Sequence, residues 1–190
     1  QAPTELMRAL RAMCDQHGIV LIADEVQAGI GRTGRWFGIE HTGVKPDLIT
    51  VAKSLAGGFP LPLSWRGGIL AALAVLDVIA EEKLLARAEV LGQATRQHLA
   101  AFAADRGLRP IGHVRGPGAM VAFDLLKAHG SDELDPVAAQ GVVKRAHALG
   151  LVVLGCGNYG EAIRLLYPLT ISDAVLDEGF ALLREALRPG

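Results

Sequence analysis

The pattern of apolar and polar positions divides the chain into alternating helical and extended stretches. Leu6, Leu10 and Met13 recur at helical spacing behind Pro3, which suits the first residue of a helix, and Gly18 ends that helix. Ile19 to Ala23 is an unbroken apolar run rich in branched side chains, the form of a strand buried on both faces of a parallel sheet, and Asp24 closes it. Leu48 to Ala52 is a second such run, closed by Lys53. Between them lies a glycine-rich loop, Gly31-Arg32-Thr33-Gly34. Helix followed by strand is half of a βαβ crossover, so the opening predicts an α/β fold on a parallel sheet.

Beyond residue 70 the pattern changes. Ala71 to Ala104 reads as helix, rich in Ala, Leu, Glu and Arg, with Gly92 as a candidate break. Arg115 to Asp124 is a glycine-rich turn entering a strand, and Asp135-Pro136 caps a helix that runs through Leu149 to Gly150. Leu151–Leu154 and Ile163–Tyr167 predict a hairpin around Gly155–Gly160, and Ser172-Asp173 caps a last helix to about Leu187. These elements make an α+β domain. The expected organisation is a parallel-sheet portion over 1–70, then a helix and a C-terminal α+β domain over 71–190.

Composition narrows the function classes. The 190 residues are 51% hydrophobic and 21% charged, as in a globular protein with ample core material. A formal net charge of −1 offers no basic surface for nucleic acid. No apolar run has the length of a membrane span, and no signal peptide or lipidation motif is present, so the expected location is the cytoplasm. The two cysteines, Cys14 and Cys156, and the six histidines show no metal-ligand spacing and no disulfide framework, so no metal is expected.

Candidate chemistry enters at the two strand ends. In open α/β sheets, ligands bind outside the carboxyl ends of the strands, so Asp24 and Lys53 could share one edge. A lysine amine condenses with aldehydes. Pyridoxal phosphate is an aldehyde whose ring draws electrons while its nitrogen stays protonated, and a carboxylate facing that nitrogen holds the proton. Asp24 and Lys53 suit those two roles, and Gln27 could hydrogen-bond the ring hydroxyl. The plainer alternatives are a strand-end cap for Asp24 and a solvated amine for Lys53.

The literal residues add to this. Asp24-Glu25-Val26-Gln27-x-Gly29-x-Gly31-Arg32-Thr33-Gly34, then Pro46-Asp47, then Ala52-Lys53-Ser54-Leu55-Ala56-Gly57-Gly58-Phe59-Pro60 resembles the class III (ω-) aminotransferases, pyridoxal-phosphate enzymes of fold type I. The resemblance implies that Lys53 carries the cofactor and moves the substrate proton. It also implies that Asp24, Val26 and Gln27 line the cofactor, and that the intact enzyme is a homodimer. In Ala162-Ile-Arg164-Leu-Leu-Tyr-Pro168, it implies that Arg164 grips a substrate carboxylate, for which arginine's planar fork is suited. Glu25 reads as a structural partner, and Arg32 either shapes its loop or touches substrate. Gly57-Gly58 could let the backbone approach the cofactor.

The Gly155–Gly160 and Arg164 neighbourhood resembles the 4-aminobutyrate enzymes within the family. The implied reaction passes an amino group from an ω-amino acid to a keto acid such as 2-oxoglutarate. Ornithine, diamine and 5-aminovalerate transaminases, and a racemase or mutase outcome, stay open. The family's phosphate-binding turn and ring-stacking aromatic precede the matched part, and a further strand and Gly-Thr-Tyr-type loop are missing near Trp65-Arg66-Gly67-Gly68. The expectation is therefore a fragment with an internal join near residues 61–70. A catalytically incompetent remnant of the family is the rival reading. A nucleotide-binding α/β domain lacks a glycine fingerprint here.

Overall fold

A computed structural model describes residues 2–57 and 66–189. The expected join and Gly58 fall largely outside the described residues. The chain divides into two compact units, Gln1–Glu89 and Val90–Gly190.

The N-terminal unit opens with α1, Thr4–His17, whose end is set by Gly18 in the left-handed conformation at φ 65. Pro3 sits at the N-cap, one residue outside the position expected for it. Arg11 on α1 binds Asp15 one turn on and Asp47, each at 2.8 Å, and Asp47 also accepts the Leu21 N–H at 2.7 Å. That Arg11 bond holds the Asp47 carboxyl below its usual range. Strand β1 is Ile22–Asp24 and β2 is Leu48–Thr50, paired parallel with Ile22 opposite Leu48 and Asp24 opposite Thr50. Both are shorter than their apolar runs.

The parallel pairing agrees with the sequence, but the burial does not. Ile22 is 55% exposed and Leu48 56%, and Ile19, Val20, Ile49 and Val51 are exposed as well. A two-stranded sheet buries nothing by itself, and no layer of the described residues covers either face. A 3₁₀ turn, Gly38–Thr42, precedes β2, and another, Lys53–Ala56, follows it. Helix α2, Arg66–Glu81, packs on the second of these turns.

The long helical stretch breaks at Glu82-Lys83 rather than at Gly92, with Lys83 at φ 53. Helix α3 is Leu84–Ala104, and Gly92 lies inside it. A Cβ at Gly92 would stand 1.8 Å from the Gly118 carbonyl oxygen, so glycine serves close backbone approach there. Ala88, Leu91, Thr95, Leu99 and Phe102 form the buried stripe of α3 at helical spacing.

The C-terminal unit is an antiparallel sheet with helices on one face. Its strands are β3 Ile111–Arg115, β4 Val121–Leu125, β5 Leu154–Cys156 and β6 Ala162–Leu165, in the order β3-β4-β6-β5. The β5–β6 hairpin is present, with β5 shifted toward the loop relative to the Leu151–Leu154 run. Helix α4, Pro136–Ala148, begins at Asp135, whose carboxylate accepts the Ala138 N–H at 2.9 Å. Helix α5, Asp173–Ala186, begins at Ser172, whose hydroxyl accepts the Val175 N–H. Val121, Phe123, Leu125, Ile163 and Leu165 are buried on the face that α4 covers, with Leu176, Phe180 and Leu183 of α5 completing the core. No described helix is long and apolar enough to cross a membrane.

Candidate active site

Asp24 ends β1, and its neighbour in the parallel ladder is Thr50, the last residue of β2. The Thr50 hydroxyl donates to Asp24 Oδ1 at 3.1 Å, and the Val26 N–H donates to the same oxygen at 3.2 Å. The Glu25 N–H closes the ladder on the Thr50 carbonyl at 3.0 Å. Asp24 is therefore fixed by one carboxylate oxygen at an exposed strand end, and a turn rather than a helix follows it. Thr50 was not singled out in the sequence, although a parallel register pairing the two strand ends puts a hydroxyl there.

Lys53 lies three residues beyond Thr50, exposed, at the start of the 3₁₀ turn. No carboxylate among the described residues pairs with its ammonium. Its backbone has φ 50, the left-handed region that a non-glycine residue enters at a cost of order 1 kcal/mol. The two strand ends thus set Asp24 and the Lys53 turn at one edge of the β1–β2 pair.

Glu25, beside Asp24, is only 5% exposed. Its two oxygens accept the N–H groups of Gly38 at 2.9 Å and Ile39 at 2.7 Å, at the start of a 3₁₀ turn. A carboxylate held by two backbone donors is structural, as the sequence suggested. Gln27 is exposed in the turn after Asp24, and Arg32 is half-buried in the glycine loop, where Gly34 has φ 81 and bonds back to the Gly31 carbonyl.

Arg164 belongs to the other unit, on β6, with Ala122 and Leu154 as its register partners. It is half-buried and lies on the sheet face opposite α4, in a row running Arg115, Ala122, Arg164, Leu154. A cavity of about 420 Å³ is bordered by Arg164, Leu151, Val153, Tyr167, Ile171 and Phe180. Cys156 shares the neighbourhood, and burial pushes its thiol pKa up despite the positive charges of Arg164 and Arg115. A thiol held protonated is a poor nucleophile. Both cysteines are free.

The Aminotransferase class-III family matches residues 1–67 and 64–187 of this sequence. The chain belongs to that family. It is 44% identical to the 5-aminovalerate aminotransferase DavT of Pseudomonas putida over 97% of its own length and 48% of that protein's. It is 43% identical to the 4-aminobutyrate aminotransferase GabT of Escherichia coli, over 94% of the chain and 46% of the relative. Among solved structures, N-acetylornithine aminotransferase from Stenotrophomonas maltophilia superposes with a TM-score of 0.83 at 30% identity, covering 97% of this chain and 51% of that one. A phospholyase from Arthrobacter gives 0.89 at 25% identity, over 98% of this chain and 49% of that one. The chain therefore spans about half the length of the relatives it matches. The α/β class-III fold, with one parallel and one antiparallel sheet among the described residues, agrees with the sequence reading.

Proposed function

We propose that this chain carries the cofactor lysine and the substrate-carboxylate arginine of a transaminase. Its substrates would be an ω-amino acid of the 4-aminobutyrate or 5-aminovalerate class and a keto acid such as 2-oxoglutarate. Pyridoxal 5′-phosphate is its cofactor. The observation that supports this best is the register of β1 on β2, which sets Asp24 and the Lys53 turn at one sheet edge. Relatives at 43% and 44% identity named for those two amino acids support the substrate class.

The donor set suits the group: an amine with no carboxylate partner among the described residues, and a carboxylate fixed through one oxygen. When bound, pyridoxal phosphate supplies an aldehyde carbon for amines and a ring that draws electrons from the substrate carbon. Lys53 Nζ would hold the cofactor through its aldehyde carbon and would also serve as the base that removes and returns the substrate proton. Asp24, oriented by Thr50 and Val26, would be the carboxylate that keeps the ring nitrogen protonated. Val26 and Gln27 follow it in the turn and line the cofactor. Arg164 binds the substrate carboxylate through its two parallel N–H groups. A homodimer, a cytoplasmic location and a large-domain portion ending near residue 70 belong to the same reading.

The test is to incubate the chain with pyridoxal phosphate, reduce with borohydride and map the peptides. The adduct is expected on Lys53 and absent from Lys53→Ala. An adduct on another lysine, or one that survives Lys53→Ala, overturns the assignment. Glutamate formed from 2-oxoglutarate with 4-aminobutyrate, 5-aminovalerate or ornithine then ranks the donors.

The exposed faces of β1 and β2 favour a second reading, in which the 190-residue chain alone binds cofactor but turns over at a trace rate. A sheet edge without packing holds a site loosely, and misplacement by about 1 Å costs about 100-fold in rate. Turnover within about tenfold of the Escherichia coli relative would exclude it.

A further inference from the structure

His113 occupies an irregular position in β3. Pairing with β4 is regular at Ile111 opposite Leu125 and Gly112 opposite Asp124, and resumes only at Arg115 opposite Ala122. Residues 113 and 114 therefore form a bulge, a device that re-aims a side chain. His113 itself has φ 48, in the left-handed region. Its ring lies between two carboxylates: Nδ1 is 3.0 Å from Asp124 Oδ2 and Nε2 is 3.3 Å from Asp132 Oδ1.

The two carboxylates differ. Asp124, on β4, is 5% exposed, and Arg115 Nη2 approaches its other oxygen at 2.7 Å while Arg115 Nη1 donates to the His113 carbonyl at 2.8 Å. Asp132 is 98% exposed, in the loop closed by the Leu126–Leu134 bridge, and His113 is its partner among the described residues. The loop's other titratable groups are Lys127 and Glu133, which pair with each other, and His129, whose Nε2 lies 3.1 Å from the Leu108 carbonyl oxygen. An ionised carboxylate only accepts hydrogen bonds, and a neutral imidazole has a single N–H, so both contacts are hydrogen bonds only when the ring is an imidazolium.

We propose that His113 is a pH-dependent latch: as an imidazolium it ties the Lys127–Glu133 loop, through Asp132, to the buried Asp124 of β4, and on losing a proton it releases that loop. The sign follows from the surroundings. The hydrogen bond to Asp124, then that to Asp132, raises the His113 pKa above its ordinary 6.5. The latch is therefore fully closed below that ordinary value and opens as pH rises through the raised one. Asp124 keeps Arg115 in either state, so β4 stays anchored. Asp132 loses its partner, and the loop is the part that moves. The proposal stands apart from the amino-transfer reading.

The 190-residue chain tests it without any cofactor. Ring ¹⁵N shifts should show His113 protonated on both nitrogens on the acid side of a titration whose midpoint lies above 6.5. Exchange of the Lys127 amide, which bonds the Glu133 carbonyl at 2.9 Å, should accelerate roughly two- to fivefold across that titration after correction for intrinsic rates, the range for a partly exposed ion pair. His113→Gln should remove the step. Should His113→Gln fail to fold, Asp132→Asn changes only an exposed side chain and should lower the His113 pKa and flatten the step. A His113 pKa at or below 6.5, or a step unchanged in Asp132→Asn, overturns the proposal.

Discussion

Two adjacent acids at the end of β1 divide structural and chemical work by a few ångströms of backbone. Glu25 turns inward and satisfies two N–H groups, whereas Asp24 stays at the exposed edge. Glu25→Ala strands two partly buried donors and should cost about 2–3 kcal/mol, read as a lower urea midpoint with an unchanged slope. Asp24→Asn should leave that midpoint within about 0.5 kcal/mol of wild type, as surface substitutions do. In an intact, cofactor-loaded enzyme carrying this segment, the same change should slow single-turnover amino transfer by roughly 100-fold, the scale set by losing one charge-matched partner. Equal rates would make Asp24 a strand-end group alone. Asp24, Gln27, Lys53 and Arg164 could be singled out as candidates because each sits in a literal motif. Thr50 and the His113–Asp124–Asp132 group were not, because each depends on which residue of another strand or loop lies alongside.

Among the elements, the helices of the C-terminal unit follow their caps. Asp135 and Ser172 start α4 and α5 where the sequence places them. Asp135→Ala should cost about 1 kcal/mol by removing the bond to the Ala138 N–H, and Asp135→Ser should recover most of it. Gly92 shows the limit of local reading. Glycine in a helical run suggests a break, yet α3 continues through it because the Gly118 carbonyl needs the space. Gly92→Ala should destabilise by about 1–3 kcal/mol although alanine favours helix, and a stabilised variant would refute the close approach. Strand β3 went unread for a related reason: Ile111-Gly-His-Val-Arg carries a bulge that breaks the alternation by which strands announce themselves.

At the scale of the whole molecule, the uneven distribution of burial stands out. The C-terminal unit has a closed core, while β1 and β2 expose branched apolar side chains on a two-stranded sheet. Exposed apolar strands favour association through faces and edges. The double substitution Ile22→Thr and Leu48→Thr, at cross-strand partners, should reduce light scattering of the purified chain and change its unfolding free energy by less than about 1 kcal/mol. A loss of about 4 kcal/mol or more would mean that these side chains are buried in solution. The sequence by itself determined the family, the parallel pairing of the two strand-end runs and the starts of α4 and α5, because motif residues, branched runs and caps act over a few neighbouring positions. Only the tertiary structure decided which oxygen of Asp24 is held, which carbonyl crowds Gly92 and which carboxylates flank His113. Those follow from register and packing between residues far apart in the chain, where a single bulge or a missing layer changes the partner without changing the pattern.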